Sequence, residues 1–242
     1  MPNPIYAIGD IHGQMQELGQ ALTRITADGG DAAHIVFLGD YTDRGPNSRA
    51  VLDTLIAGQT TGRNWTFLKG NHDRMFEWFM QDPLRHDPYL MVELYWLHQR
   101  LGGDTTLASY GVDAGGTRRE KDVHADARAA VPQAHIDFLA GLPLTYETDN
   151  LLFVHAGIRP MVPIANQIEE DLIWIRGEFH DHHGPHPKLV VHGHTPVGTA
   201  THYGNRVNLD TGAGYGKPLT TAVFEDDQVW TLTPNGRVPL IP

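Results

Sequence analysis

The first 80 residues repeat one unit three times, and this repeat restricts the fold more than any other feature of the chain. In each unit an apolar run leads into glycine and a polar cluster, and apolar residues at helical spacing follow. The runs are Ile5–Ile8, His34–Leu38 and Trp65–Leu68. Alternating short strands and amphipathic helices are typical of βαβ units, whose parallel strands form a sheet buried between helices. The sequence therefore predicts an α/β fold that starts with a parallel sheet.

Residues 82 to about 141 interrupt this rhythm. Their clearest helical patterns run over Tyr89–Leu101 and Pro132–Leu142, and the pieces are too short to carry a core of their own. The sequence therefore predicts a helical insertion into a single domain that spans residues 1–242.

From Leu144 onward the sequence predicts short strands that form a mostly antiparallel sheet. Asp226-Asp227 occupies the position of a two-residue hairpin turn between the last two strands. The predicted strands are Leu144–Glu147, Leu151–Val154, Leu189–Val191, Val197–Thr201, Arg206–Leu209, Thr220–Glu225 and Gln228–Leu232. We expect one sheet from each half of the chain, with the two packed together and helices outside.

The composition excludes several classes of function. The chain has 18 basic and 29 acidic residues, a net charge of −11, which argues against non-specific binding to nucleic acids or anionic membranes. It has no cysteine, which excludes disulfides, thiolate metal sites and cysteine nucleophiles. No apolar run is long enough to span a membrane, and no secretory signal pattern is visible. We therefore expect a cytoplasmic protein with no nucleic-acid or membrane partner, and the oligomeric state stays open.

Oxygen and imidazole donors follow five of the predicted strands, where ligands bind in open α/β sheets. In chain order these donors are Asp10, His12, Asp40, Asn71, His155 and His194. Asp10 and His12 are two residues apart, so in extended backbone their side chains would point the same way. One such loop would be ordinary turn chemistry. Five in one chain predict a metal site, because burying unpaired Asp and His side chains is costly. A donor set without thiolate suits manganese, iron or zinc better than calcium or copper.

Two further histidine features stand apart from these loops. The segment His180–His186 contains four histidines among turn-forming residues and predicts an exposed loop with incidental metal affinity. His192 lies two residues before His194, and the sequence leaves open whether it faces the same pocket.

These motifs together resemble the calcineurin-like metallophosphoesterases, and specifically the bacterial and phage branch of the phosphoprotein phosphatase family. The resemblance runs from about residue 4 to 225. The specific signatures are Gly9-Asp10-x-His12-Gly13, Gly39-Asp40-x-x-Asp43-Arg44-Gly45 and Gly70-Asn71-His72-Asp73. The looser ones are His155, Trp174-Ile175-Arg176 and Gly193-His194-Thr195-Pro196. Asp73 departs from the glutamate that usually ends the third signature, and His192 stands where an apolar residue is usual.

The resemblance implies two packed mixed β-sheets flanked by helices, the metallophosphoesterase α/β/β/α sandwich, around two divalent metal ions. Manganese is the expected metal, with iron or zinc as alternatives. The first ion would be held by Asp10 and His12, the second by Asn71, His155 and His194, and both by Asp40. A hydroxide between the ions would attack phosphorus directly, because two cations lower the pKa of bound water and screen the charge of the ester.

The family's other roles fall on four residues. His72 would protonate the leaving oxygen, and Asp43 would orient its imidazole. Arg44 and Arg176 would bind phosphate oxygens with their forked donors. Tyr215 aligns loosely with an aromatic residue near the family's site, and a packing role is equally compatible with its sequence context.

The resemblance implies a metal-dependent phosphomonoesterase, a serine/threonine protein phosphatase whose partner is a phosphoprotein or phosphopeptide. One alternative is a symmetrical dinucleoside tetraphosphate hydrolase, a branch in which the acid at the position of Asp43 is often missing. Another is a non-catalytic binding scaffold, but no ligand position has been lost. The insertion is the largest segment able to read the substrate beyond its phosphate. Its pairs Gly102-Gly103 and Gly115-Gly116 would bend loops toward the site or serve as connectors.

Overall fold

The first sheet grows from the three predicted strand–helix units. In the computed structural model, which describes residues 4–242, β1 (Ile5–Ile8), β2 (His34–Phe37) and β3 (Trp65–Phe67) pair in parallel. They alternate with α1 (Met15–Gly29), α2 (Ser48–Thr60) and α3 (Asn71–Phe79). The strands are short and end at a glycine-containing polar loop, which places three such loops at one edge of the sheet.

The 82–141 segment differs from its prediction at one point. The helix predicted over Tyr89–Leu101 is wrong: this stretch consists of turns and irregular backbone. Met91 and Val92 are exposed whereas Trp96 is buried, so the apolar residues share no single helical face. The helices of the segment are α4 (Gly103–Ser109), α5 (Glu120–Ala130) and α6 (Gln133–Ala140). The last of them corresponds to the helix predicted over Pro132–Leu142.

The second sheet contains β4 (Thr145–Glu147), β5 (Leu151–Val154), β6 (Leu189–His192), β7 (Thr201–His202) and β8 (Arg206–Asn208), in the order β4-β5-β6-β8-β7. The prediction of a mostly antiparallel sheet is wrong, because β5, β6 and β8 are parallel and only the edge strands β4 and β7 are antiparallel. Most of the strand predicted over Val197–Thr201 is loop, since the Val197 N–H donates to the Asp210 carbonyl outside the sheet.

The last three strands join the first sheet. They are β9 (Thr221–Glu225), β10 (Gln228–Thr233) and β11 (Gly236–Pro239), and the sheet order is β11-β10-β9-β1-β2-β3. Asp226-Asp227 forms the predicted turn between β9 and β10. The expectation of one sheet from each half of the chain is therefore wrong, because β9 pairs antiparallel with β1. Both sheets are mixed, as the resemblance implied.

Alternate residues along the strands face two different apolar layers. Ala7 and Val36 of the first sheet pack against Phe153 and Val191 of the second, between the sheets. Their neighbours in sequence face outward, as Tyr6 does toward the layer that includes α1 and α2. The outer face of the second sheet packs on α7 (Glu169–Trp174) and α8 (Gly177–His180). Period-two burial on both faces of both sheets produces the four layers and confirms the predicted α/β/β/α sandwich.

Among residues 4–242, none of the helices has the length and apolar character that crossing a membrane requires.

Candidate active site

The loops that follow β1, β2, β3, β5, β6 and β8 meet at one edge of the two sheets. They bring together the six predicted metal ligands and the predicted acid. All seven side chains are buried: Asp10, His12, Asp40, Asn71, His72, His155 and His194. The site thus lies at the carboxyl ends of parallel strands, where the sequence predicted it.

Asp40 lies at the centre of this cluster. Its Oδ2 is 3.5 Å from Nε2 of His12, and its Oδ1 is 3.4 Å from Nε2 of His155. Asp40 belongs to two groups of three buried side chains, each with one ligand atom per residue within 4.8 Å of the others. The groups are His12, Asp40 and His72, and Asp40, His155 and His194. A shared carboxylate between two groups is the arrangement expected for a bridging ligand.

Around the second group, which Asn71 adjoins, hydrogen-bond acceptors face one another. Nδ1–H of His155 donates to the Leu38 carbonyl at 2.9 Å, and burial lowers the pKa of His155 to about 4. Its Nε2 is therefore unprotonated, yet it lies 2.9 Å from Oδ1 of Asn71, which is also an acceptor. Nδ1 of His194 lies 2.9 Å from the same oxygen, and Nε2 of His194 is buried with no hydrogen-bond partner in residues 4–242. A divalent cation satisfies such converging acceptors, so these residues fit a metal ion.

His12 is held in the same way. Its Nδ1–H donates to the Thr42 carbonyl at 2.8 Å, which leaves the lone pair of Nε2 facing Asp40 and the Arg44 guanidinium. Burial is the main cause that lowers the pKa of His12 well below its usual value. A neutral imidazole fixed by a backbone carbonyl at one nitrogen is a typical metal ligand at the other.

Asp10 occupies a different position from the other predicted ligands. Its Oδ2 accepts the backbone N–H of His194 at 3.0 Å, and it belongs to neither group around Asp40. Burial, followed by the charges of Asp210 and Asp40, raises the pKa of Asp10 well above its usual range. Three buried carboxylates close enough to affect one another require nearby positive charge, which agrees with a cation site.

Asp210 is the site residue that sequence reasoning missed. It is buried, it lies two residues after the end of β8, and its Oδ1 accepts the Gly212 N–H at 2.9 Å. The signal was present, because an aspartate two residues after a short strand, with a glycine within the next three residues, also describes Asp10.

Left-handed backbone recurs throughout the site. The φ angles of His12, Asp40 and His194 are 48°, 51° and 67°. Non-glycine residues rarely adopt this conformation, and where they do the surrounding structure must hold them. The rule that residues two apart share a face applies to extended backbone, and these loops are not extended.

His192 illustrates this result. Its Nδ1 lies 3.1 Å from the Gly193 carbonyl and its Nε2 lies 3.2 Å from Nη1 of Arg206, on the side of Phe179 and His180. The structure thus brings His194, and not His192, beside Asp40. Within residues 4–242, the histidines of the 180–186 loop enter neither group of clustered ligand atoms.

The predicted acid pair is formed. Nδ1 of His72 lies 2.6 Å from Oδ2 of Asp43, and Nε2 of His72 lies 3.0 Å from Nη2 of Arg44. Burial is the main cause that raises the pKa of Asp43 and lowers that of His72. The pair leaves one imidazole nitrogen, Nε2, directed into the site.

Both predicted phosphate-binding arginines lie at the site without a carboxylate partner in residues 4–242. Arg44 contacts His12 and His72 through its guanidinium, and Arg176 donates to Oγ1 of Thr195 at 2.9 Å. The ring of Tyr215 lies 4.8 Å from the Arg44 guanidinium carbon and is 62% exposed, so this tyrosine is not a core packing residue. Two guanidinium groups that have no carboxylate partner in the described residues, and that lie beside a candidate cation site, are arranged to bind an anion.

Asp73 ties two of the loops together. Its carboxylate accepts the backbone N–H groups of Asp40, Tyr41 and Gly70 at 2.8, 3.0 and 2.9 Å. Burial raises its pKa to about 8. Asp73, which is one methylene shorter than the glutamate usual at this position, thus ties the loop after β2 to the loop after β3.

The chain is similar to known proteins over nearly its whole length. The family model described as calcineurin-like phosphoesterase matches residues 3–218. A curated relative from Bacillus mycoides, named bis(5'-nucleosyl)-tetraphosphatase PrpE (asymmetrical), is 26% identical over 97% of this chain and 95% of the relative. A relative of the same name from Anoxybacillus flavithermus is 27% identical over 90% and 89%.

Solved structures share the fold. A candidate diadenosine tetraphosphatase superposes with a TM-score of 0.65 at 21% identity, covering 100% of this chain and 96% of that one. A cold-active protein tyrosine phosphatase of a psychrophilic Shewanella species superposes with a TM-score of 0.63 at 17% identity, covering 100% and 83%. At these identities the likeness concerns the fold alone. With the family match and the grouped His and Asp ligands, the chain belongs to the calcineurin-like phosphoesterases and is a metallophosphoesterase, a metal-binding hydrolase of phosphate esters.

Proposed function

We propose that this protein is a phosphomonoesterase that removes the phosphoryl group from phosphorylated serine or threonine side chains of proteins or peptides. The observation that carries the proposal is the buried pair of His72 and Asp43. A serine or threonine alkoxide is a basic leaving group, so its departure needs a proton. An acid fixed in the site supplies that proton.

The chain's own residues have distinct tasks in this reaction. Arg44 and Arg176 bind the non-bridging phosphoryl oxygens, because neither guanidinium is paired with a carboxylate. His72 donates the proton on Nε2 to the leaving oxygen as the phosphorus–oxygen bond breaks. Asp43 accepts the hydrogen bond from Nδ1–H and fixes the orientation of the ring, and a carboxylate at this position favours the imidazolium form against the opposing effect of burial.

We propose the same six metal ligands that the sequence predicts. The first ion would be held by Asp10 and His12, the second by Asn71, His155 and His194, and both by Asp40. When bound, the two cations neutralise charge on the phosphoryl oxygens and activate water as the nucleophile. Manganese is the proposed metal, with iron or zinc as alternatives, since the donors are carboxylate, amide and imidazole groups.

Hydrolysis of dinucleoside tetraphosphates is a second candidate. The specific observation in its favour is the name of the curated relatives, which match 97% and 90% of this chain. That name specifies asymmetrical cleavage, whereas the branch that the sequence motifs bring into question cleaves symmetrically. A phosphoanhydride releases a weakly basic nucleotide and needs little help from an acid, so the His72–Asp43 pair favours the monoesterase.

A substrate panel with manganese separates the candidates. It comprises phosphoserine, phosphothreonine and phosphotyrosine peptides, an aryl phosphate and a dinucleoside tetraphosphate. We expect the highest kcat/KM on a phosphoserine or phosphothreonine peptide. Higher efficiency on the tetraphosphate would overturn the proposal, and the nucleotides released would then distinguish symmetrical from asymmetrical cleavage.

A further inference from the structure

Three residues of the 82–141 segment contact the dipeptide Asp43-Arg44. The indole Nε1–H of Trp96 donates to Oδ2 of Asp43 at 2.8 Å, and the hydroxyl of Thr106 donates to Oδ1 at 2.7 Å. The carbonyl of Gly102 accepts the backbone N–H of Arg44 at 3.3 Å. We call Trp96, Gly102 and Thr106 the clamp. It reaches the acid pair from a part of the chain that contributes no predicted metal ligand.

The clamp fixes both the side chain and the backbone of Asp43. Oδ2 of Asp43 accepts hydrogen bonds from the Trp96 indole and the His72 imidazole. The Thr106 hydroxyl donates to the other oxygen, Oδ1, and so fixes the rotation of the carboxylate. The backbone N–H of Asp43 donates to the same Thr106 oxygen at 2.7 Å. Asp43 and Arg44 have φ angles of 73° and 66°, a strained conformation that persists only where contacts hold it.

The Trp96 ring packs against α3, the helix that contains His72. The ring stacks on Phe76 at a centroid distance of 5.1 Å and an interplanar angle of 15°, and it contacts Phe79 at 4.8 Å. Both phenylalanines belong to α3, whose first turn contains His72. The indole is therefore fixed relative to both members of the His72–Asp43 pair.

The two glycine pairs of the segment have different roles. A Cβ on Gly102 would lie 2.2 Å from the Arg44 nitrogen, and one on Gly103 would lie 2.5 Å from the Trp96 carbonyl oxygen. A Cβ on Gly116 would meet no atom of the described residues within 4 Å, and one on Gly115 would meet only an Asp113 oxygen at 3.2 Å. Gly102-Gly103 thus permits the close approach of the clamp, while Gly115-Gly116 is a connector.

We propose that Trp96 and Thr106 are positioning residues for the general acid and bias the enzyme toward phosphate esters with basic leaving groups. This inference rests on the proposed function, in which His72 protonates the leaving oxygen. A misdirected acid slows only those reactions that need its proton. Loss of a clamp hydrogen bond should therefore lower kcat/KM for alkyl phosphates and hardly change it for activated aryl phosphates.

The test uses substitutions that remove the hydrogen bonds of one side chain and little packing. Trp96→Phe keeps an aromatic ring against Phe76 and removes the indole N–H. Thr106→Val removes the hydroxyl at nearly constant shape, and Thr106→Ser restores it. The matched controls are Trp65→Phe, whose indole makes no side-chain hydrogen bond in residues 4–242, and Thr221→Val, whose buried hydroxyl has no partner there.

The main measurement is kcat/KM of the metal-loaded enzyme over a series of alkyl and aryl phosphates of known leaving-group pKa. Acid catalysis contributes about 10²- to 10⁴-fold, and we expect Trp96→Phe and Thr106→Val to lose about tenfold of it on a phosphoserine peptide. On dinitrophenyl phosphate the same variants should lose less than about twofold. Thr106→Ser and both controls should follow the unmodified enzyme.

Two readouts separate positioning from general damage. Metal content and thermal unfolding should change little in the clamp variants. In the zinc-loaded enzyme, which is diamagnetic, the NMR signal of the His72 Nδ1 proton reports the hydrogen bond to Asp43, and it should shift in the clamp variants and stay in place in the controls.

His72→Asn serves as the reference for interpretation. If its losses grow with leaving-group basicity but those of Trp96→Phe and Thr106→Val do not, the inference is overturned and the proposed function stands. If His72→Asn itself loses equally on every ester, both are overturned. Should Trp96→Phe fail to fold, the contrast between Thr106→Val and Thr106→Ser decides the question alone.

Discussion

The His72 imidazole and the Asp43 carboxylate form a 2.6 Å hydrogen bond in the protein interior, and no part of the Asp43 side chain is exposed to solvent. Their positions in the chain are 29 residues apart. The bond fixes which nitrogen of His72 faces the site, and this assignment decides what the residue can do chemically.

We expect His72→Asn to lower kcat by about 10²- to 10⁴-fold on phosphate esters with basic leaving groups, and much less on dinitrophenyl phosphate. Asp43→Asn should show the same dependence in weaker form, because His72 remains but loses its orienting partner. Steady-state kinetics over a leaving-group series provides the measurement. His183→Asn, in the exposed loop, is the control, and a uniform loss across the series would assign His72 another role.

Removal of the central carboxylate should affect both metal positions. Asp40→Asn is expected to bring the metal content from about two ions per chain to fewer than one, and to lower activity by more than about 100-fold. Elemental analysis of the purified protein, before and after chelation, checks this. Asp31→Asn, an exposed residue paired with Arg63, should change neither value. Full activity after exhaustive metal removal would contradict the two-metal site.

The two histidines at the end of β6 should behave differently. His194→Ala is expected to lose one metal ion, because its imidazole lies beside Asn71 and Asp40. His192→Ala should keep both ions and instead lower thermal stability, because it leaves Arg206 without its imidazole partner in the interior. Metal content measured on both variants decides the assignment, and the opposite pattern would exchange the two roles.

Tyr215 should contribute to substrate binding through Arg44. A cation–π contact at an exposed site is worth about 0.5–1 kcal/mol, which corresponds to roughly a two- to fivefold effect. We therefore expect Tyr215→Ala to raise KM by about threefold with little change in kcat, and Tyr215→Phe to retain most of the contact. A fall in kcat for the phenylalanine variant would point instead to a role for the hydroxyl group.

An ion pair far from the site should give the fold a measurable pH dependence. Hydrogen bonds from Arg237 are the main cause that lowers the pKa of Asp28, and the Tyr6 hydroxyl also donates to it. The folded-state pKa lies below the unfolded value, so this stabilisation is present above about pH 4 and is lost as the pH falls further. At pH 7, Asp28→Asn should lower Tm by about 2–4 °C, an estimate discounted for partial exposure.

Thermal unfolding at pH 7 and at pH 3 checks this prediction. The difference between Asp28→Asn and the unmodified protein should shrink at the lower pH, since protonation removes the charge that the substitution also removes. A difference that persists unchanged would show that the carboxylate stabilises the fold by packing rather than by charge.

Local patterns in the sequence were sufficient to predict most strands and the positions of the catalytic loops. The strand predicted over Leu151–Val154 has those bounds in the structure, and Asp40 and Asn71 lie at the sheet edge where their loops were expected. Apolar periodicity and glycine breaks depend on residues that are near neighbours in the chain. The chemistry of the proposed metal ligands follows from their side chain types alone, so it could be predicted before the fold was known.

Only the tertiary structure decided which strands pair and which distant groups meet. The last three strands extend the first sheet, Asp210 joins the buried carboxylates, and Trp96 bonds to Asp43 across 53 residues of chain. Left-handed backbone at His12 and His194 likewise interrupts the alternation of side chains that an extended strand would give. Strand partners and strained turns are selected by the free energy of burying both sheet faces and satisfying every buried polar group. That free energy depends on contacts between residues far apart in the sequence, so it cannot be read from any local pattern.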